Sequence, residues 1–220
     1  MITKLEDYER KVEGLGGWTE SIEALISRLH PLTVDLVGLT FDVSFERFDP
    51  AQLFQGKLTI IDLSKLPDDR ARNLLSQMVM KKTYEAIRRM GKTEDLRLAF
   101  VIDEAQHLAP NDEEYVSIPD ICAMELRKYG FSLITCATRP SLISSNILAN
   151  SNTLISFLLN NRQDVKTVSG FLAGDWEGGY YLPLRFLPVG EAILQLNHPI
   201  PKEPVVIRTW RFHVEVSEGQ

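Results

Sequence analysis

Two adjacent acidic residues, Asp103 and Glu104, directly follow the continuous apolar run at residues 98–102. A run without a polar face is typical of a strand buried on both sides of a parallel sheet, and open α/β sheets bind ligands at the carboxyl ends of such strands. At that position Asp103 could bind Mg²⁺, directly or through a water molecule, while Glu104 orients a water that attacks a γ-phosphate. The alternative is that both acids simply begin a solvated loop.

The segments before the acid pair predict a strand, a helix and a second strand. Residues 58–63 form another apolar run, and residues 67–90 carry apolar side chains at helical spacing. Pro67 is suited to the first turn of this helix and Gly91 to its end. Strands joined in this way are usually parallel, so both predicted strands should end at the same edge of the sheet.

Polar residues also follow the next predicted strand. Residues 131–137 form a third apolar run, and Thr138 and Arg139 come directly after it. We therefore expect both residues to face the same crevice as Glu104 and to bind a cofactor there. For Arg139, an ion pair with a surface acid is an equally supported alternative. Later strands are predicted at residues 153–159, 187–196 and 205–212, and helices at residues 118–127 and 162–171.

The segment Gly91-Lys92-Thr93 matches the end of a phosphate-binding loop. The full motif GxxxxGK[ST] needs a glycine five positions earlier, where this chain has Ala86, and it lies between a strand and a helix in that order. Here a helix precedes and a strand follows, so we interpret Gly91 as a helix C-cap and Lys92 as a surface residue. No copy of the motif occurs in the 220 residues, which leaves the acid pair as a Walker B element without its phosphate-binding loop.

The overall composition is that of an ordinary globular protein, with 44% hydrophobic and 25% charged residues. No apolar run approaches the roughly 18 residues that span a bilayer, so we expect a cytoplasmic protein without a membrane partner. Cys122 and Cys136 lack a CxxC spacing and are expected to be free thiols. The formal net charge of −6 argues against a generally basic surface for nucleic acid, although it permits a local basic patch.

Five short blocks occur in the order found in the HerA/FtsK-type ATPases. They are IDEAQHLAP at residues 102–110, ELRKYG at 125–130, TRPS at 138–141, NT at 152–153 and PVGEAIL at 188–194. With these blocks the chain resembles the C-terminal half of that family, nearest to the archaeal HerA helicase-translocases. The resemblance implies an α/β fold, namely a partial RecA-like P-loop NTPase core with a mainly parallel sheet flanked by helices. We predict a helical appendage at residues 1–55, the core at 56–212 and a tail at 213–220.

The resemblance also implies roles for single residues. Asp103 would bind Mg²⁺, and Glu104 would act on the attacking water. Arg127 in ELRKYG, together with Lys128, resembles the arginine that such ATPases present to the nucleotide of a neighbouring subunit. The alternative for Arg127 is an ordinary charged residue at a helix C-terminus. Thr138 stands where the family usually has a glutamine that senses the γ-phosphate, and its hydroxyl reaches less far.

Cofactors and partners follow from the same resemblance. The family binds ATP and Mg²⁺ and forms a homo-hexameric ring that pumps double-stranded DNA through its pore, and HerA works with the nuclease NurA at DNA ends. Because the phosphate-binding half has no counterpart in the printed residues, we expect a fragment that binds ATP poorly by itself.

Two other functions are compatible with the sequence. The chain could be a degenerate ATPase-like module that docks on a protein partner and hydrolyses nothing. It could also be an unrelated α/β enzyme that uses Asp103 and Glu104 as metal ligands, although His107, His198 and His213 are scattered and form no ligand cluster.

Overall fold

The computed structural model describes residues 24, 25, 27, 48–66, 68–112, 114–172, 179–197 and 203–210. The chain divides into two compact units, Met1–Ala86 and Ile87–Gln220. Most of the predicted appendage and the whole predicted tail lie outside the described residues. Residues 24, 25 and 27 are helical, and a short 3-10 helix occupies Pro50–Phe54.

A long helix, α1 (Asp69–Arg89), confirms the predicted helix. The carboxylate of Asp68 accepts a hydrogen bond from the N–H of Ala71 at 2.7 Å and so stabilises the first turn. Gly91 follows the helix with a φ of 77°, and its N–H donates to the carbonyl oxygen of Arg88. Gly91 therefore ends the helix as predicted, in a left-handed conformation that glycine adopts without strain.

The predicted strand at residues 58–63 is wrong. This segment has no regular structure, and the side chains of Leu58 and Ile60 are 90% and 80% exposed. A strand requires a partner for its backbone N–H and carbonyl groups, and none of the described strands pairs with this segment.

The sheet that carries the acid pair consists of two parallel strands, β1 (Thr93–Ile102) and β2 (Tyr129–Thr135). Between them lies α2 (Ile118–Glu125), whose bounds confirm the predicted helix. Only one face of β1 is covered by the described residues, since Ile102 is buried whereas Val101 is 60% exposed. Successive side chains of a strand alternate between two faces, so within the described part of residues 87–220 the second face of β1 has no cover, and its predicted burial stays a prediction.

A bulge near the start of β1 interrupts the pairing with β2. The register shifts between Thr93 and Leu98, where residues 94–97 lie opposite Gly130 alone. A Cβ atom on Gly130 would lie 2.2 Å from the carbonyl oxygen of Asp95, and the φ of Gly130 is 77°. Only glycine fits beneath this bulge. Beyond Leu98 the pairing continues without a shift, which aligns the carboxyl ends of the two strands.

The other strands form an antiparallel sheet in the order β3 (Thr153–Ser156), β4 (Glu191–Leu196) and β5 (Val205–Arg208). Each falls within a segment predicted as a strand and is shorter than predicted. No described helix is long and apolar enough to cross a membrane.

Three helices accompany this second sheet: α3 (Ser145–Asn150), α4 (Arg162–Phe171) and α5 (Tyr181–Phe186). The bounds of α4 agree with the prediction, whereas α5 was not predicted because it is short and contains Pro183. Helices α4 and α5, the residue that directly follows each of them, and β4 supply a compact apolar core formed by Val165, Val168, Leu172, Leu184, Leu187 and Ile193. The described architecture is thus a mixed α/β structure with a parallel sheet and flanking helices, as predicted.

Candidate functional site

The loops that follow β1 and β2 are held side by side. Beyond the last paired residues, the N–H of Cys136 donates to the carbonyl oxygen of Ile102 at 2.9 Å, and the N–H of Ala105 donates to the carbonyl oxygen of Cys136 at 2.8 Å. These two bonds continue the parallel pairing past the strand ends and bring Glu104 to within hydrogen-bonding distance of Thr138. The two loops therefore lie side by side at the carboxyl ends of the strands, where the sequence predicts a crevice, and we refer to the space between them as the crevice.

Glu104 has an uncommon backbone conformation. Its φ and ψ are 48° and 47°, and it is the one described residue other than glycine with a positive φ. The Oδ1 atom of Asp103 accepts a hydrogen bond from the Glu104 N–H at 3.0 Å, which supports this sharp turn. Residues held in sparsely populated backbone conformations are concentrated at functional sites, so the turn itself marks Glu104 as a candidate.

The Glu104 carboxylate is oriented by two donors that bind the same oxygen. Its Oε2 atom accepts hydrogen bonds from Gln106 Nε2 and, at 2.9 Å, from Thr138 Oγ1. The hydrogen bonds from Gln106 and then Thr138 hold the pKa of Glu104 below its ordinary value, so the group is ionised at neutral pH. Both side-chain donors bind Oε2, the Thr138 backbone N–H also contributes to the lowered pKa, and no side chain of the described residues donates to Oε1. This oxygen is thus available to a water molecule.

Gln106 is a site residue that the sequence reasoning missed. It is 8% exposed, and its Nε2 group also contacts Thr138 Oγ1 at 3.2 Å, so it connects both loops. Its Oε1 atom is buried without a hydrogen-bond partner among the described residues. The available signal is its position two residues after Glu104 within the block IDEAQHLAP.

Asp103 directly follows β1 and is exposed. One of its oxygens supports the Glu104 turn, and Oδ2 accepts no bond within the described part of the chain. Groups of three or more His, Cys, Asp or Glu side chains suited to a metal ion are absent from the described residues. A single carboxylate fits Mg²⁺, which commonly takes one or two carboxylates and completes its shell with phosphate and water oxygens.

Arg139 is held by Asp164 on α4. Its Nε donates to Asp164 Oδ2 at 2.9 Å, while Asp164 Oδ1 accepts from the N–H and the hydroxyl of Ser141 at 3.0 and 2.6 Å. The Asp164 side chain is 4% exposed. Burial would raise the pKa of this carboxyl, but the bonds from Ser141 and the adjacent Arg139 outweigh it and hold the pKa below its ordinary value. The ion pair foreseen for Arg139 exists, with a buried acid as the partner.

Arg127 and Lys128 lie at the other end of the sheet. Both line a shallow cavity of about 470 Å³ together with Thr93 and Glu94 at the start of β1. Since β2 contains 7 residues, its length of about 3.3 Å per residue puts roughly 20 Å between these cations and Thr138. The structure therefore brings together Asp103, Glu104 and Thr138. Arg139 follows Thr138 in the same loop but its side chain contacts Asp164, and Arg127 and Lys128 lie at the other end of the sheet.

Comparisons with known proteins identify the fold. The structure of the genome packaging NTPase B204 from Sulfolobus turreted icosahedral virus 2 in complex with ATP-gammaS has a TM-score of 0.55 and 10% identity, covering 76% of this chain and 74% of that chain. The chain has part of a P-loop NTPase fold. The same NTPase in complex with sulfate gives a TM-score of 0.55 at 10% identity, with coverage of 77% and 76%. No protein-family model and no curated protein matches the chain.

This P-loop NTPase fold confirms the predicted fold class. At 10% identity the likeness extends to the fold alone. The HerA-type assignment and the roles of the six predicted site residues stay predictions.

Proposed function

We propose that this chain is part of an ATP-driven DNA translocase and that the crevice beyond β1 and β2 receives the phosphate end of ATP. One observation carries the proposal: the Glu104 carboxylate is bonded across the two loops through Oε2 while Oε1 stays open. This arrangement lies at the edge of the sheet where α/β folds bind ligands. The similar structures support it, since they are those of a genome packaging NTPase, one of them in complex with ATP-gammaS.

In this proposal Glu104 acts on the attacking water. Its Oε1 accepts a hydrogen bond from the water and then its proton, as the water oxygen bonds to the γ-phosphorus. The bond between the γ-phosphorus and the bridging oxygen breaks, which leaves ADP and inorganic phosphate. Gln106 and Thr138 fix the carboxylate in place, so that the orientation exists before the substrate arrives.

Asp103 would hold Mg²⁺ through its exposed carboxylate. When bound, this ion would neutralise charge on the phosphate oxygens and align them. Thr138 and Arg139 would contact the phosphates from the second loop. The hydroxyl of Thr138 is already bonded to Glu104, so a phosphate that displaced it would be sensed directly at the catalytic carboxylate.

Arg127 and Lys128 would act on the nucleotide of a neighbouring subunit. Their distance from Thr138, along the whole length of β2, is too great for contact with the site of the same chain. In a closed ring each subunit would contribute Glu104 to one site and Arg127 to the next. We propose a homo-hexamer with double-stranded DNA in its pore and a NurA-like nuclease as partner, on the basis of the HerA/FtsK resemblance.

An ATPase assay tests the catalytic role of Glu104. The chain is assayed alone and joined to an N-terminal segment that carries GxxxxGK[ST], in both cases with and without duplex DNA. We expect turnover only with the added segment, and a loss of about a hundredfold or more for Glu104→Gln, which cannot take the proton. Glu85→Gln, at an exposed residue of α1, is the matched control and should retain full activity. Turnover that survives Glu104→Gln would refute the proposed role.

Mixing two inactive variants tests the shared site. Glu104→Gln and Arg127→Ala would each inactivate every site of a ring. In a random equal mixture, about a quarter of the interfaces would combine an intact Glu104 with an intact Arg127, so activity should return. No recovery upon mixing, with both variants assembled, would argue against an Arg127 that acts between subunits.

The second candidate function is a docking module that hydrolyses nothing. The observation that favours it is the lack of GxxxxGK[ST] in the 220 residues. If folded protein neither binds nor hydrolyses ATP with or without the added segment, this function becomes the better account.

A further inference from the structure

The guanidinium of Arg139 is tied down at one nitrogen and open at the other two. Only Nε donates to Asp164, whereas Nη1 and Nη2 make no hydrogen bond or ion pair with the residues that the structure describes. The Arg139 side chain is 47% exposed, although the acid that holds it is almost fully buried. Arginine–carboxylate pairs are frequently bidentate, whereas this one is made through Nε alone and leaves both Nη groups without a carboxylate oxygen.

Both oxygens of Asp164 are needed for this arrangement. Oδ2 accepts from Arg139, and Oδ1 accepts from both donors of Ser141. Because Ser141 belongs to the 3-10 turn at Pro140–Leu142, its two bonds fix the backbone that carries Arg139 relative to α4. A buried carboxylate is costly unless it is fully bonded, so the cluster holds its geometry firmly.

We propose that Asp164 and Ser141 are positioning residues that present Nη1 and Nη2 of Arg139 to the phosphate oxygens of the nucleotide. The inference rests on the proposed function, because it assigns the ligand of the same crevice. Arg139 directly follows Thr138, which is bonded to Glu104, so the guanidinium belongs to the loop that orients the catalytic carboxylate. The two Nη groups form a planar pair of donors that suits two oxygens of one phosphate.

The direction in which anion affinity changes when Asp164 is removed separates a positioning role from a merely structural ion pair. A carboxylate near an arginine weakens the attraction of an anion, so removing Asp164 without any positioning role should leave anion binding unchanged or tighten it. If Asp164 positions Arg139, removing it should weaken binding, because the arginine side chain must then be immobilised by the anion itself. Positioning thus predicts a change opposite to the simple electrostatic one.

The test is a titration of the whole chain with inorganic pyrophosphate, followed by nuclear magnetic resonance. The Nε–Hε signal of Arg139, assigned with Arg139→Lys, reports the anchored group. Asp164→Asn and Asp164→Ala should each weaken pyrophosphate binding by about three- to tenfold, the loss expected when one long side chain must be ordered on binding. The matched control is Asp69→Asn, which removes the acid of the exposed Arg72–Asp69 ion pair and should leave the affinity within about twofold.

The outcomes are distinct. Binding that depends on Arg139 but is unchanged or tightened in the Asp164 variants overturns the inference and leaves the proposed function intact. A wild-type chain that binds no pyrophosphate refutes the anion site and the inference together. If the Asp164 variants do not fold, the wild-type Nε–Hε signal decides: slow solvent exchange and a backbone-like order parameter support the anchored arginine, whereas fast exchange and high mobility overturn it.

Discussion

Gly130→Ala should destabilise the unit that carries the candidate site more than other glycine substitutions. Gly130 lies beneath the bulge of β1, where an added Cβ would meet the Asp95 carbonyl oxygen at 2.2 Å and the Thr93 side chain at 2.8 Å. The nearest obstacle is backbone, so the methyl group cannot be accommodated by a rotamer change. The bulge must shift, and with it the register that aligns Glu104 and Thr138.

Two contributions determine how much stability Gly130→Ala loses. An alanine at φ 77° costs about 1–2 kcal/mol in the left-handed region, and forced displacement of packed atoms adds about 1–3 kcal/mol. Gly91→Ala is the matched control, because Gly91 has the same φ of 77° but no atom within 4 Å of its added Cβ. We therefore expect a loss of about 2–5 kcal/mol for Gly130→Ala and about 1–2 kcal/mol for Gly91→Ala.

Urea denaturation followed by circular dichroism measures both losses. At this chain length, a difference of about 2 kcal/mol between the variants corresponds to a melting temperature lower by roughly 4–8 °C in Gly130→Ala. Equal losses for Gly130→Ala and Gly91→Ala would refute the steric part of the reasoning and leave only the backbone conformation. A loss near zero at both positions would refute the left-handed conformation as well.

Four further predictions follow from local environments. Iodoacetamide should label exposed Cys136 in the native protein and spare Cys122, because burial, with the charge of Glu125, raises the pKa of the Cys122 thiol to about 12. Ser117→Ala should destabilise the protein by about 1–2 kcal/mol, since Ser117 caps α2 in a buried capping box with Asp120. Gly170→Ala should stabilise α4 by about 0.5–1 kcal/mol, because its added methyl meets open space. Asp164→Asn should lower the free energy of unfolding by about 1–3 kcal/mol at pH 7. The pKa of Asp164 is lowered on folding from its ordinary 3.8, so its stabilising effect is complete above that value and is lost as the pH falls through the folded pKa. The free energies of unfolding of wild type and Asp164→Asn should therefore converge in acid.

Each of these predictions has its own control. In about 6 M urea, where the chain is unfolded, iodoacetamide should label Cys122 and Cys136 at about equal rates. This would confirm that burial protects Cys122 in the native protein. Ser145→Ala, at an exposed position in the first turn of α3, should change stability by less than about 0.5 kcal/mol. A destabilised Gly170→Ala would show that the open space at this helix position is filled, and an Asp164→Asn difference that grows in acid would contradict the lowered pKa.

Local signals in the sequence predicted much of this structure. The helix α4 was predicted at its observed bounds, and Gly91 ended α1 as expected, because apolar spacing and glycine caps act within a few residues. The local apolar run at residues 98–102 likewise predicted a strand directly before Asp103 and Glu104, and the structure has it. Hydrogen bonding to a distant partner has no such local signal, and this is why the apolar run at residues 58–63 was wrongly predicted as a strand.

The amino-acid sequence thus determined most of the described elements and the residue types at their ends, among them Asp103, Glu104, Thr138 and Arg139, but it indicated neither α5 nor the irregular course of residues 58–63. Only the tertiary structure decided which partners these residues contact. It joined Glu104 to Thr138 and Arg139 to Asp164, partners 34 and 25 residues apart, and it left Arg127 at the opposite end of the sheet. The physical reason is that strand register and helix packing set side-chain distances, and both depend on contacts between segments that are remote in the chain.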